Sequence, residues 1–287
     1  MWTVVGVGAL CASSVYRRPF ATLRSINRRL LLLTGVAERT ASVHGVPMRY
    51  FEAGGPGRPG DAPIGLVCGL GDSAESWGRV IRPLSRGRRV LAPDLAGFGR
   101  NPVPPEGMNF SALVRYLGGF LDELGVERAV LVGSSLGGAV VIRYAARYPE
   151  RVHRLFLLNS AGLLKELASS FEPTDRETVQ ELVDIIGGLR LRLPRFILDD
   201  LLRETGAPAR REYLRSTERT DVSEDLPKIV APTTIIWGDR DRLIPLDNGE
   251  RLHAGIEGSE LIVLPGVGHG PHLDAARRVV GIIRDRL

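Results

Sequence analysis

A chain of 287 residues, 44% hydrophobic and 25% charged, is long enough for one large α/β domain with an insertion or for two small domains. Its formal net charge of +5 rests on arginine, with lysine only at Lys165 and Lys228. No aromatic-interleaved basic stripe, zinc-finger spacing or groove-fitting basic helix accompanies that charge, which argues against a nucleic-acid partner, and the two cysteines, Cys11 and Cys68, give no disulfide framework and fit a reducing compartment.

The first residues depart from globular expectation. Trp2 to Tyr16 carry no charge and are mostly apolar, and Arg17-Arg18 follow at once. The run is shorter than the roughly 20 residues of a comfortable helical span, although about 17 suffice when flanking residues are borrowed. A secretory signal carries positive charge ahead of its apolar run, whereas here the charge comes after it. The positive-inside rule then puts the body of the protein on the cytoplasmic side. Arg24, Arg28 and Arg29 continue the basic character ahead of Leu30 to Leu33, a pattern suited to an anionic membrane surface. Three readings follow: membrane association through residues 1–33, an N-terminal helix packed on a soluble, cytoplasmic domain, or a start codon placed too far upstream.

Past residue 40, strand-like and helix-like segments alternate. Met48 to Ala53 reads as a strand, and Gly54 to Pro63 as a Gly- and Pro-rich loop. The apolar run Ile64 to Cys68 ends in Gly69-Leu70-Gly71, with helical character around Ala74 to Arg86. A short strand at Val90 to Ala92 leads to Pro93-Asp94-Leu95-Ala96-Gly97-Phe98-Gly99, and Asn109 to Leu124 has helical periodicity. Then come the strand Ala129 to Val132 and a helix from Leu136 to about Arg147, stopped by Pro149. Leu155 to Leu158, Thr233 to Trp237 and Leu261 to Leu264 supply three further apolar runs. Short, continuously hydrophobic strands separated by helices indicate a mostly parallel sheet with helices on both faces.

Residues 165–229 break this rhythm. Helix-like segments occur at Val179 to Leu189 and Pro194 to Arg203, with no convincing strand. A helical block inserted between two strands of one sheet is most simply a cap, or lid, over the strands' carboxyl ends. The division is then an N-terminal segment at 1–39, a core built from 40–164 and 230–287, and the cap at 165–229.

The chemistry centres on Gly133-Ser134-Ser135-Leu136-Gly137, set between a strand and a helix. Gly-x-Ser-x-Gly in that context places Ser135 on a sharp turn with its hydroxyl exposed for nucleophilic attack. A serine needs a base, and the base a carboxylate to orient it. Of the histidines, His44 precedes the sheet core, His153 follows the helix after the serine, and His253 falls within a helix. His269 sits in the glycine-rich loop Gly266 to Pro271 after a strand, where a parallel sheet presents catalytic groups. His272, three residues on at the start of the last helix, is the second candidate for the base, although a capping or surface role suits it better. After Thr233 to Trp237 there are two acidic candidates: Asp241 is placed to reach His269, whereas Asp239 suits fixing the turn. The oxyanion formed on attack needs backbone N–H donors, expected from Leu136 at the helix start and from Leu70 in the loop after the early strand.

These segments resemble the α/β-hydrolase fold superfamily over roughly residues 40–287. The resemblance rests on Leu66 to Gly71 with Trp77, Asp94 to Gly99, Gly133 to Gly137, Trp237 to Asp241 and Gly268-His269-Gly270-Pro271. The chain order Ser135, Asp241, His269 is the one expected of that superfamily. Within it, the apolar N-terminus with its arginines, Ser160 to Leu163 and Leu193 to Leu198 are most similar to membrane-anchored monoacylglycerol lipases and esterases. One position departs: members commonly have histidine before the oxyanion-loop glycine, where this chain has Cys68, so the loop must be braced differently. Asp94 suits a loop-fixing role.

The resemblance implies a serine hydrolase cleaving carboxylic esters through an acyl-enzyme, without metal or organic cofactor. Its substrate would be a small ester or a lipid-like one, such as a monoacylglycerol or medium-chain ester. Two alternatives are a carbon–carbon bond hydrolase of ring-cleavage products, with Arg190, Arg192 and Arg195 available for carboxylates, and a non-catalytic binding protein on the same fold.

Overall fold

The computed structural model describes residues 18–55, 57, 61–163, 172–186, 192–216, 218 and 220–287. The apolar stretch Trp2 to Tyr16 and Arg190 lie outside the described residues. Eight strands form one sheet: β1 (Ala37–Val43), β2 (Val46–Ala53), β3 (Ile64–Val67), β4 (Val90–Pro93), β5 (Ala129–Ser134), β6 (Val152–Leu158), β7 (Thr233–Gly238) and β8 (Glu260–Leu264). Their order is β1-β2-β4-β3-β5-β6-β7-β8. The β1–β2 and β2–β4 pairs are antiparallel and every other pair is parallel.

The apolar runs become the central strands for a physical reason. β3, β4, β5 and β7 are buried at every position, so each must be hydrophobic on both faces. β1 is the strand that the apolar runs do not announce. Its sequence Ala-Glu-Arg-Thr-Ala-Ser-Val is half exposed, as suits an antiparallel edge strand with one solvated side. It begins at Ala37, inside the stretch set apart at 1–39.

Helices cover the sheet: α2 (Gly78–Leu84) packs with α10 (Ala276–Arg284), and α3 (Phe110–Glu123) with α4 (Leu136–Arg147). Asn109 caps α3 by accepting the Ala112 N–H at 2.8 Å. Between β6 and β7 lie α5 (Arg176–Ile186), α6 (Arg195–Thr205) and α7 (Pro208–Arg215), with no strand among the described residues there. After β7 come α8 (Leu246–Gly255) and the short α9 (Pro271–Asp274).

An N-terminal helix, α1 (Pro19–Leu33), lies against α6. Asp200 of α6 is fully buried and accepts the Phe20 N–H at 2.7 Å and Arg18 Nε at 3.1 Å. A carboxylate at a helix N-terminus satisfies an otherwise unpaired donor and the positive end of the helix dipole. Glu204, one turn on, pairs with Arg18 and Arg24. Register explains where the site forms. Val67, Gly133, Leu157, Ile235 and Leu261 stand in one row across β3, β5, β6, β7 and β8, so the loops after these strands open at the same edge.

Candidate active site

Ser135 follows β5 directly, with φ 53° and ψ −123°. Left-handed backbone at a serine costs on the order of 1–3 kcal/mol. Neighbouring strands hold it there: the Ser135 N–H donates to Leu158 O at 3.1 Å, and Ser135 O accepts from Gly138 and Ala161 N–H at 2.9 Å each. Gly137 is required because α4 starts against β3, where a Cβ would lie 2.3 Å from Val67 O.

β7 delivers Asp241 and β8 delivers His269. The buried Asp241 accepts His269 Nδ1 through Oδ2 at 2.8 Å, and its Oδ1 accepts the N–H groups of Leu243 at 2.8 Å and Ile244 at 2.9 Å. An ionised carboxylate only accepts, so it selects the imidazole tautomer protonated on Nδ1 and leaves Nε2 with its lone pair. Asp239 instead accepts the Gly266 N–H at 2.7 Å and ties the turn after β7 to the loop that carries His269.

Asn159, at the end of β6, is a site residue that sequence reasoning missed. It is fully buried with φ 42°, and its Nδ2 donates to the same Asp241 Oδ2 that receives His269. Its Oδ1 accepts the Gly238 N–H at 3.1 Å. The available signal was the polar pair Asn159-Ser160 directly after the apolar run of β6. Four adjacent strands, β5 to β8, thus supply Ser135, Asn159, Asp241 and His269 in order.

Leu70 and Leu136 flank the serine. A Cβ on Gly69 would lie 3.1 Å from Ser135 Cβ, so the loop after β3 touches the elbow. Leu136 opens α4, where first-turn N–H groups lack intrahelical acceptors. Asp94 braces that loop: it accepts the Ala74 N–H at 2.7 Å and the Arg100 N–H at 3.0 Å, and burial raises its carboxyl to about 6. Burial pushes the Cys68 thiol well up, with Asp72 and Asp94 adding to the effect, which leaves it an inert core residue.

His272 is not the surface or capping residue that its position suggests. It is 3% exposed and stacks 4.3 Å from Trp77, centroid to centroid. The chain enters α9 facing inward, and burial together with His269 lowers the His272 imidazole to about 3. The other histidines lie elsewhere: His44 packs edge-on to Tyr116, His253 bonds Ser259, and His153 is an exposed residue of β6.

Ser135 and His269 line one cavity of about 730 Å³. Its walls are largely apolar: Leu70, Leu182, Ile186, Leu201, Leu243 and Leu273, with Phe20, Leu23, Leu30 and Leu31 from α1. The His269 N–H donates to Ile186 O at 3.2 Å, so the inserted helices are tied directly to the histidine loop. Arg192 and Arg195 line a separate cleft with Arg176 and Arg242, so they are not where a substrate carboxylate in the serine cavity would be met. Among the described residues no group of three His, Cys, Asp or Glu side chains is arranged to hold a metal ion, and no helix is long and apolar enough to cross a membrane.

Sheet order, strained elbow and inserted helices define an α/β-hydrolase architecture. The alpha/beta hydrolase family profile matches residues 66–282, and the chain belongs to that family. It is 32% identical over 252 residues to a 2-hydroxy-6-oxo-2,4-heptadienoate hydrolase of Pseudomonas putida, covering 78% of this chain and 88% of that one. Its structure is similar to that of a membrane phospholipase A described as a bacterial virulence factor, with TM-score 0.80, 27% identity, and coverage of 99% of this chain and 96% of that one. It is also similar to a meta-cleavage product hydrolase from Pseudomonas fluorescens, with TM-score 0.74, 25% identity, and coverage of 88% and 97%.

Proposed function

We propose that the protein is a serine hydrolase of carboxylic esters acting on a lipid-like substrate such as a monoacylglycerol or medium-chain ester. The observation that carries this reading is the cavity, which joins Ser135 on its strained turn, the His269–Asp241 pair and largely apolar walls. Ser135 Oγ attacks the ester carbonyl carbon while His269 Nε2 takes the hydroxyl proton. The Leu70 and Leu136 N–H groups hold the oxyanion, and the His269 proton passes to the departing alkoxide. Water, deprotonated by His269, then attacks the acyl-enzyme and releases the acid.

Residues 165–229 serve as the lid over this cavity. α1 forms part of its mouth, and membrane association on the cytoplasmic side would bring lipid to it. Leu23, Ile26, Leu30 and Leu33 make one stripe along α1, exposed by 50%, 47%, 56% and 83%. Leu23 and Leu30 belong also to the cavity wall, and the exposed Arg29 flanks the stripe. The likeness to a membrane phospholipase supports the same reading.

The test is Ser135→Ala. Hydrolysis of p-nitrophenyl esters and labelling by a fluorophosphonate should both vanish, and persistence of both sinks the proposal. A second reading, a carbon–carbon bond hydrolase of ring-cleavage products, is favoured by the relatives that carry that activity in their names. Turnover of vinylogous diketones in preference to esters would establish it.

A further inference from the structure

One wall of the cavity carries a cation that the reaction above does not use. Arg210, in α7, lines the same cavity as Ser135 and His269, although its side chain is only 5% exposed. Its Nη1 donates to Thr205 O at 2.8 Å. Its stem lies along the loop after β3: an added Cβ on Gly71 would sit 3.1 Å from Arg210 Cδ and 3.6 Å from Nε. Gly71 has φ 70°, so glycine both permits the turn and makes room for the arginine. The arginine is thereby held against Gly71, in the loop whose Gly69 touches Ser135.

This arginine forms no ion pair among the described residues. Glu204, in the same wall, is engaged by Arg18 and Arg24. Glu172, whose charge reaches Arg210, lies 4.0 Å from Arg215. Burial lowers the Arg210 guanidinium, and the nearby charge of Glu172 only partly offsets the loss of water. A buried cation that forms no ion pair among the described residues is costly, and a ligand anion would offset that cost. The planar fork suits carboxylate and phosphate alike, since both present paired oxygens.

We infer that Arg210 is the anion-recognising, specificity-determining residue of the cavity, and that the preferred substrate is an ester bearing a carboxylate or phosphate close to the bond that is cleaved. The inference rests on the ester-hydrolase reading and narrows it from lipid-like esters in general to anionic ones. Arg210 acts on selection: it holds the anionic group while the ester carbonyl reaches Ser135.

The experiment pairs neutral and anionic esters of matched chain length. p-Nitrophenyl hexanoate is compared with the mono-p-nitrophenyl ester of adipic acid, which places a carboxylate on the acyl side. Monohexanoyl glycerol is compared with hexanoyl glycerol phosphate, which places a phosphate on the alcohol side. The wild-type protein should prefer one anionic member, which identifies the source of the charge. Arg210→Met should lower kcat/KM for that ester by about 10- to 100-fold, mainly through KM, and lower it far less for its neutral partner. Arg210→Lys should fall between the two. Equal loss on neutral and anionic esters, or no anionic preference in a wild-type protein that turns over neutral esters, overturns the inference while leaving the hydrolase reading intact. A binding arm is independent of turnover: Ser135→Ala should bind hexanoyl glycerol phosphate or monomethyl adipate in calorimetry, and adding Arg210→Met should abolish it. Unchanged binding, or binding of neither ligand, also overturns the inference. Loss of all ester turnover in the wild-type protein would instead overturn the hydrolase reading.

Discussion

Asn159 and His269 meet on a single oxygen, Asp241 Oδ2, which accepts from the amide of the first and from Nδ1 of the second. The Asp241 carboxylate is therefore held from both sides: two backbone N–H groups fix Oδ1, and two side chains fix Oδ2. A carboxylate so restrained has one orientation to offer the imidazole. Asn159 itself keeps φ 42°, a conformation that asparagine adopts more readily than most residues.

Asn159→Gly preserves that backbone and removes only the amide. Losing one hydrogen bond to a charged group should lower kcat about 10- to 100-fold, with KM little changed. The Gly238 N–H also loses its acceptor, so urea unfolding should report a loss of about 1–3 kcal/mol. Asn159→Ala adds backbone strain and should be the less stable of the two. Full activity in the glycine variant would mean that Asp241 needs no second side-chain donor.

Asp241→Asn tests the carboxylate. An amide side chain in the same place can present a donor to His269 Nδ1, which favours the tautomer protonated on Nε2 and removes the base. kcat should fall by about 10⁴-fold, with labelling of Ser135 by a fluorophosphonate reduced in parallel. Asp239→Asn should keep nearly full kcat, because Asp239 only accepts the Gly266 N–H. Comparable losses in the two variants would contradict the assignment of roles.

The parts of this arrangement that were legible in the sequence are those encoded locally. The elbow at Gly133 to Gly137 needs small residues because strand and helix backbones touch there, so the pattern is written into adjacent positions. The turn after β7 and the glycine-rich loop after β8 announce Asp241 and His269 in the same way. What was not legible depends on contacts distant in the chain. Asn159 gains its role only when β6 lies beside β7, and Arg18 meets Asp200 across 182 positions. Arg210 is one arginine among many, and only the packing of α7 on Gly71 singles it out. β1 escaped because an edge strand needs apolar residues on one side only.

His272 should matter to stability in acid rather than to chemistry. Neither ring nitrogen has a hydrogen-bond partner among the described residues, so an apolar ring of similar shape should be accepted. Its imidazole is lowered from 6.5 to about 3 by burial and by His269. Between those values the unfolded chain binds a proton here and the folded chain does not. Stability from this site is therefore level above pH 6.5 and declines as pH falls towards about 3. His272→Phe has no proton to bind, so its urea midpoint should fall less between pH 7 and pH 5 than that of the wild type. Its pH–activity profile should be unchanged. A variant destabilised at pH 7 would mean that the ring makes polar contacts with buried water.

The stripe on α1 makes the last prediction, because part of it can be changed without touching the cavity. Leu23 and Leu30 line the cavity, whereas Ile26 and Leu33 do not and are 47% and 83% exposed. Among the described residues those two side chains join neither the cavity wall nor the hydrophobic core, and inserting them into a bilayer would remove their surfaces from water at roughly 25 cal/mol per Å². The double variant Ile26→Ser, Leu33→Ser should therefore fold as the wild type does and hydrolyse dissolved p-nitrophenyl butyrate at the same rate. Its turnover of monoacylglycerol presented in anionic vesicles should fall by about 10-fold. Arg29→Glu should reduce the vesicle reaction further at low salt and less at high salt, since its contribution is electrostatic and screened. Equal losses on dissolved and vesicle-borne substrates would place the stripe in the fold of the cavity mouth instead of at a membrane surface.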